Sequence, residues 1–156
     1  MPRSGGPFAD LELLDPDGGP KRLAEAWSEG PALIVLGHRN CKTTREVLPL
    51  VDRIHARRGP GASVLAVLQD DAETARGLRR QLGLGMPIRL EPDPYPLAAA
   101  LEVTTVPTLF LVARGGRIQA VSEALRRADL EDFATRLGVE GALFGADDKV
   151  PALKPG

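Results

Sequence analysis

Ala32-Leu33-Ile34-Val35-Leu36-Gly37-His38-Arg39-Asn40-Cys41-Lys42-Thr43-Thr44-Arg45 runs from an unbroken apolar stretch, through a short polar loop, into the opening of an amphipathic segment. The apolar run Ala32 to Leu36 reads as a strand buried on both faces. Behind the loop, Val47, Leu50, Val51 and Ile54 recur at helical spacing and predict a helix of about four turns from Thr43 to Arg57. Cys41, the only cysteine in the chain, therefore stands at a strand-to-helix turn. Unpaired backbone N–H groups and the positive end of the helix dipole stabilise an anion there, and Arg39, Lys42 and Arg45 add positive charge. The sequence thus favours the thiolate, the reactive form of the sulfur.

Outward from this stretch, strands and helices alternate. Phe8 to Leu14 reads as an early strand, and Asp15-Pro16-Asp17-Gly18-Gly19-Pro20 supplies a reversal, followed by a short helix around Leu23 to Trp27. Pro49 falls inside the long helix, which Gly59-Pro60-Gly61 ends. Ser63 to Leu68 is a second buried strand, and Asp70 with Glu73 matches a capping box for a helix that ends at Leu82 before Gly83. Ile88 to Leu90 is a short strand. Pro92, Pro94 and Pro96 then delay the next helix until Pro96 can open it, and the helix runs through Leu97 to Leu101. Thr108 to Val112 and Ile118 to Val121 form a hairpin about Arg114-Gly115-Gly116-Arg117. Asp129 is the expected cap of a final helix to Leu137. The fold class is α/β, a central mixed sheet flanked by helices on both faces. The organisation predicted is a flexible N-terminus over 1–7, one domain over 8–140, and a tail over 141–156 read as a surface strap or a disordered extension.

The totals exclude several classes. With 20 Lys+Arg against 21 Asp+Glu, the net charge of −1 gives no electrostatic footprint for nucleic acid or an anionic membrane. No stretch has the length and apolarity of a membrane span, and Met1 to Pro7 lacks the apolar core of a secretory signal, so a cytoplasmic protein is expected. One cysteine cannot make an intrachain disulfide. His38-x-x-Cys41 is half of a zinc motif, but only one other histidine exists, so neither a metal nor a cofactor is predicted.

Cys41-x-x-Thr44-Arg45 at a strand-to-helix turn, Pro49 in the following helix, and Val106-Pro107-Thr108 leading into Leu109-Phe110-Leu111-Val112 together resemble the thioredoxin-like superfamily. Within it, the chain looks most like the TlpA-like thiol–disulfide oxidoreductases and their redoxin neighbours. The similarity covers roughly residues 8–138, and its two short motifs stand 66 positions apart. The resemblance implies that Cys41 is the nucleophile and that Pro107 is a cis-proline facing it. It further implies that the Val106 backbone pairs with an incoming extended chain. Thr44 stands where the family's resolving cysteine would be, Asn40 where its tryptophan would be, and Val35 where thioredoxin carries a buried aspartate. The implied chemistry is accordingly a mixed disulfide with a protein or small-molecule substrate, resolved by an external thiol such as glutathione, a partner protein or a second copy of the chain.

Two other readings stay open. The related peroxiredoxins carry a threonine where this chain has His38 and a proline where it has Ile34, and Pro107 takes the place of their arginine; Arg39 or Arg45 could supply the missing cation for a one-cysteine peroxidase. Alternatively the fold serves as a binding module with little turnover. Individual residues carry parallel alternatives. Cys41 is an exposed nucleophile or an inert buried thiol. The Thr44 hydroxyl donates to the thiolate or satisfies a helix carbonyl. His38 is a base, a hydrogen-bond partner of the sulfur, or a solvated loop residue. Trp27 and Tyr95 serve packing, Tyr95 with a possible place on the rim of the site.

Overall fold

In the computed structural model, which describes residues 2–156, the decisive stretch forms β3 (Ala32–Gly37), and every one of its residues is buried. Before it lie β1 (Glu12–Leu14), β2 (Pro20–Arg22) and a 3-10 turn over Leu23–Trp27. After it come α1 (Lys42–Arg57), β4 (Ser63–Leu68), α2 (Ala72–Leu82), β5 (Ile88–Leu90), α3 (Pro96–Ala100), β6 (Thr108–Val112) and β7 (Ile118–Glu123). The chain finishes with β8 (Leu125–Arg126), α4 (Arg127–Arg136) and β9 (Leu153–Lys154). Seven strands form one sheet in the order β2-β1-β5-β4-β3-β6-β7, while β8 and β9 pair separately. The parallel partners are β3 with β4 and β4 with β5; β6 joins β3 antiparallel.

Alternation along the central strands divides the interior in two. Leu33, Val35, Val64, Ala66, Leu68, Leu109 and Leu111 face α1, α2 and α4. Ile34, Leu36, Leu65, Val67, Phe110 and Val112 face the 3-10 turn, α3 and Phe8. Each fully buried Leu, Ile or Phe contributes about 1.5–3 kcal/mol of transfer free energy, so both faces hold the sheet rigid beneath the loops at its edge. Phe8 packs edge-to-face on Trp27 and Phe110, with ring centroids 5.4 and 5.3 Å away.

Several boundaries differ from the sequence reading, each for a local reason. Only Glu12–Leu14 of the early apolar stretch is strand, and its partner Pro20–Arg22 is fully exposed. Residues 5–7, set apart as a flexible N-terminus, hydrogen-bond to the outer hairpin: the Gly5 N–H donates to the Ile118 carbonyl at 2.7 Å, and Pro7 bridges Arg117. Asp71, not Asp70, caps α2 by accepting the Thr74 N–H at 2.7 Å. The Gln69 N–H is still pairing with the Gly37 carbonyl at 2.9 Å, which delays the helix by one residue and leaves Asp70 to another task. Asp129 does not cap α4. The helix starts at Arg127, immediately after β8, and Asp129 instead accepts the Ser122 hydroxyl at 2.6 Å. Gly83 ends α2 with φ 65°, as expected of a C′ glycine.

The 141–156 tail lies along α1 and α4. Leu143 and Phe144 are buried in the core face, and Phe144 is stacked between Arg53 and Arg127, whose guanidinium carbons sit 5.5 and 5.1 Å from its ring. Arg53 also forms a two-pronged pair with Asp148 at 2.9 and 3.2 Å. Arg57 donates to the Glu140 and Ala142 carbonyls.

Candidate active site

Antiparallel pairing of β6 with β3 matches Leu36 to Thr108. This register sets the N-terminal end of β6 beside the C-terminal end of β3, so Val106-Pro107 and the Cys41 loop meet although 66 residues separate Cys41 from Pro107. Sites in open α/β sheets collect at this edge because the strands end there and the loops are free to vary. The Val106–Pro107 peptide bond is cis. Pro107 itself is buried, and its carbonyl accepts the Ala124 N–H at 2.8 Å.

Cys41 is the N-cap residue of α1, with extended backbone. Its sulfur accepts the Thr44 N–H at 3.4 Å and lies 3.6 Å from the Val106 carbonyl oxygen, to which the thiol can donate. The side chain is half-buried. A sulfur thus takes the place normally held by a Ser, Thr, Asp or Asn oxygen, satisfying one of the helix's orphan donors. The same position fixes the sulfur's direction, toward the loop that carries Val106.

Thr44 contributes its backbone N–H to the sulfur. Its hydroxyl is fully buried with no hydrogen-bond partner among the described residues. The side chain packs against Gly37, where a Cβ would stand 2.5 Å from Thr44 Cγ2 and 2.7 Å from its Oγ1. Of the two roles read for that hydroxyl, neither is formed. Glycine at position 37 is therefore required by the close approach of α1 to the end of β3. We expect Gly37→Ala to lose about 1–3 kcal/mol by overpacking, read as a lowered urea midpoint at unchanged slope; a loss below about 0.5 kcal/mol would contradict this contact.

Two tethers shape the loop between β3 and Cys41. The Arg39 N–H donates to the Asp70 carboxylate at 3.0 Å, and the Arg45 guanidinium donates to the Arg39 carbonyl. Burial raises the Asp70 carboxyl above its ordinary range, partly offset by the Arg39 N–H and by the charges of His38 and Arg39. Arg45 is thereby committed to the loop backbone. Asn40, Arg39 and Lys42, the chain neighbours of Cys41, are exposed, and Arg39 lines a hollow with Glu73, Thr74 and Arg80 of α2. His38 is half-buried and lines a cleft of ≈ 260 Å³ with Gln69, Tyr95, Ala98 and the Val103–Val106 loop. Behind this cleft, fully buried Glu91 accepts the Gln69 amide at 3.2 Å and the Ala98 N–H at 2.9 Å, and also bonds the Leu97 N–H at the start of α3. No cluster of three or more metal-ligating side chains occurs among the described residues.

No family model matches the sequence, and no curated protein matches it. Solved structures do. A protein assigned as the thiol:disulfide interchange protein DsbE from Chlorobium tepidum superposes with a TM-score of 0.77 at 20% identity, over 87% of this chain and 96% of that one. The thioredoxin domain of a thiol-disulfide oxidoreductase from Bacteroides vulgatus gives 0.76 at 19%, over 86% and 97%. The peroxidoxin BcpB from Mycobacterium tuberculosis gives 0.71 at 18%, over 88% and 97%. The fold is thioredoxin-like.

Within this thioredoxin-like frame, the site also contains Asp70, which the sequence reads as a helix cap, and Gly37 and Glu91, to which no sequence motif points. The least foreseeable part is the end of the strap. The Thr43 hydroxyl donates to the Pro155 carbonyl at 2.5 Å, Lys154 pairs with Glu46 on α1, and Gly156 packs so tightly on the Val106 carbonyl that a Cβ there would overlap it.

Proposed function

We propose that this chain is a one-cysteine thiol–disulfide oxidoreductase. The observation that carries the reading is the sulfur itself: Cys41 caps α1 through the Thr44 N–H and faces the Val106 carbonyl. An attacking sulfur at a helix N-terminus meets orphan N–H groups and the positive end of the dipole, and Arg39 and Lys42 are the cationic neighbours in the chain assigned to favour it. It attacks one sulfur of a substrate disulfide, forming the Cys41–substrate bond while the other sulfur leaves as a thiolate with the electron pair. Thr44 offers no second thiol, so an external thiolate attacks the substrate sulfur of that mixed disulfide and Cys41 leaves in turn. Substrate and reductant are exchanged between disulfides with no net change at Cys41. The Val106 backbone and Pro107 line the approach, with His38 and Asn40 at its edges. The oxidoreductases among the structural neighbours support the same chemistry.

Glutathione disulfide tests it. The wild-type protein is expected to gain one glutathionyl group by mass, to lose it in excess reduced thiol, and to gain none as Cys41→Ser. Stoichiometric consumption of hydrogen peroxide without any such adduct would replace this reading by a one-cysteine peroxidase, the class the peroxidoxin neighbour represents. Inertness to both reagents would leave the binding module.

A further inference from the structure

The cleft lined by His38, Gln69, Tyr95, Ala98 and the Val103–Val106 loop adjoins the sulfur through two of its residues. The His38 carbonyl accepts the Cys41 N–H at 3.2 Å, and the Val106 carbonyl lies 3.6 Å from Cys41 Sγ. In a chain where 26% of the residues are charged, no Asp, Glu, Lys or Arg is among the described residues that line this cleft. A group entering it meets hydroxyls, an amide, an imidazole and the exposed side chain of Tyr95, and no ion-pairing partner.

Gln69 is fixed at both its backbone and its side chain. Its backbone N–H donates to the Gly37 carbonyl at 2.9 Å, and its Nε2 donates to Glu91 Oε2 at 3.2 Å. Glu91 is fully buried, and its other oxygen is taken by the Leu97 and Ala98 N–H groups. A carboxylate only accepts, so it can face only the N–H end of the Gln69 amide. The carbonyl end, Gln69 Oε1, has no partner among the described residues and is not enclosed. A residue of the cleft wall thus carries an acceptor whose sense is set from behind and whose donor must come from outside.

We propose that this cleft receives an uncharged, amide-bearing group of the disulfide substrate, whose N–H donates to Gln69 Oε1, and that Glu91 is the positioning residue that keeps that oxygen available. The link to exchange rests on the chemistry proposed above; binding of an amide in the cleft does not. Gln69 sets specificity because a carboxylate in the same place would bring oxygen against oxygen with no proton between them. Glu91 acts only through Gln69.

Two measurements on the full chain test this. In the first, benzamide or benzoate is titrated in while NMR follows the Gln69 side-chain NH2 and the Thr104–Val106 backbone signals. Benzamide should shift both sets and benzoate neither at the same concentration. Equal shifts from the two ligands, or none from benzamide, would overturn the cleft as an amide site. The second compares bis(4-carbamoylphenyl) disulfide with bis(4-carboxyphenyl) disulfide, reading the arylthiolate released as Cys41 bonds the other aryl sulfur, each rate divided by that of free cysteine with the same reagent. The wild type should favour the amide by about three- to ten-fold, the range of one hydrogen bond, and Gln69→Leu should erase the preference. Glu91→Gln keeps an oxygen for the α3 N–H groups but turns an NH2 toward Gln69, whose amide must then answer with its oxygen and show its own NH2 to the cleft; the preference should swing to the carboxylate. A merely structural Glu91 would leave the ratio at its wild-type value. That result, or no preference in the wild type, would overturn the proposal, and should Glu91→Gln fail to fold, an unmoved ratio in Gln69→Leu overturns it equally. If neither disulfide reacts while iodoacetamide still labels Cys41, the exchange chemistry itself is wrong, and the benzamide titration alone decides the cleft.

Discussion

Thr44→Cys is expected to close a reversible disulfide with Cys41 and, with dithiothreitol supplied to reopen that disulfide after each cycle, to reduce substrate disulfides faster than the wild type does. Residues three apart at the start of a helix lie on one face, and the Cys41 sulfur already sits 3.4 Å from the Thr44 nitrogen. The substitution also removes a buried hydroxyl that has no partner among the described residues, a group whose desolvation costs about 1–3 kcal/mol when unpaired. Folding should therefore tolerate the change. Resolution of the mixed disulfide becomes intramolecular, which replaces a bimolecular encounter with a pre-positioned thiol and should raise turnover at least about tenfold. Mass and thiol counts after mild oxidation give the answer directly. Two free thiols persisting under oxidising conditions would mean that the first turn of α1 does not hold positions 41 and 44 together as described.

Phe110→Ala has the largest expected effect on stability. Phe110 is fully buried on β6, in register with Ile34 on one side and Val121 on the other, and meets Phe8 edge-to-face at 78°. Removing it deletes the transfer free energy of the ring and leaves a cavity under a closely packed strand, costing about 3–5 kcal/mol. For a chain of this size that lowers Tm by about 6–20 °C. The ring lies on the sheet face opposite α1, so the rate at which iodoacetamide labels Cys41 in the folded variant should hardly change. A loss smaller than about 1 kcal/mol in urea unfolding would contradict the packing of that face.

What the sequence disclosed, and what it hid, follows from the kind of contact involved. From Ala32 to Arg57 the apolar run and the helical period stand in the order of the residues themselves, and the strand and helix appear within a residue of the expected bounds. Cys41 was legible for the same reason, as the polar break between the two periods. Pro20–Arg22 was not, because all three residues are exposed and a strand without a buried face has no alternation to read. Asp70 and Asp71 present the same side chain one residue apart; only the pairing of Gln69 with Gly37 decides which of them caps the helix. Gly37 needed knowledge of how near Thr44 comes. The end of the strap was the most hidden. Thr43 and Pro155 are 112 residues apart, and the acceptor is a carbonyl oxygen that any residue would supply.

Because the nucleophile is also the cap of α1, the reaction proposed here reaches into the helix. In the mixed disulfide the sulfur is a poorer acceptor, so the first turn loses part of the cap that the Thr44 N–H had found in it. Expelling Cys41 restores that cap. The groups that prepare the sulfur to attack thus equally prepare it to depart, and the covalent adduct is the form in which the longest helix of the molecule is least well finished. In that proposed reaction a bond to Cys41 would be readily made and readily surrendered, as in a carrier that passes its cargo on rather than a trap that keeps it.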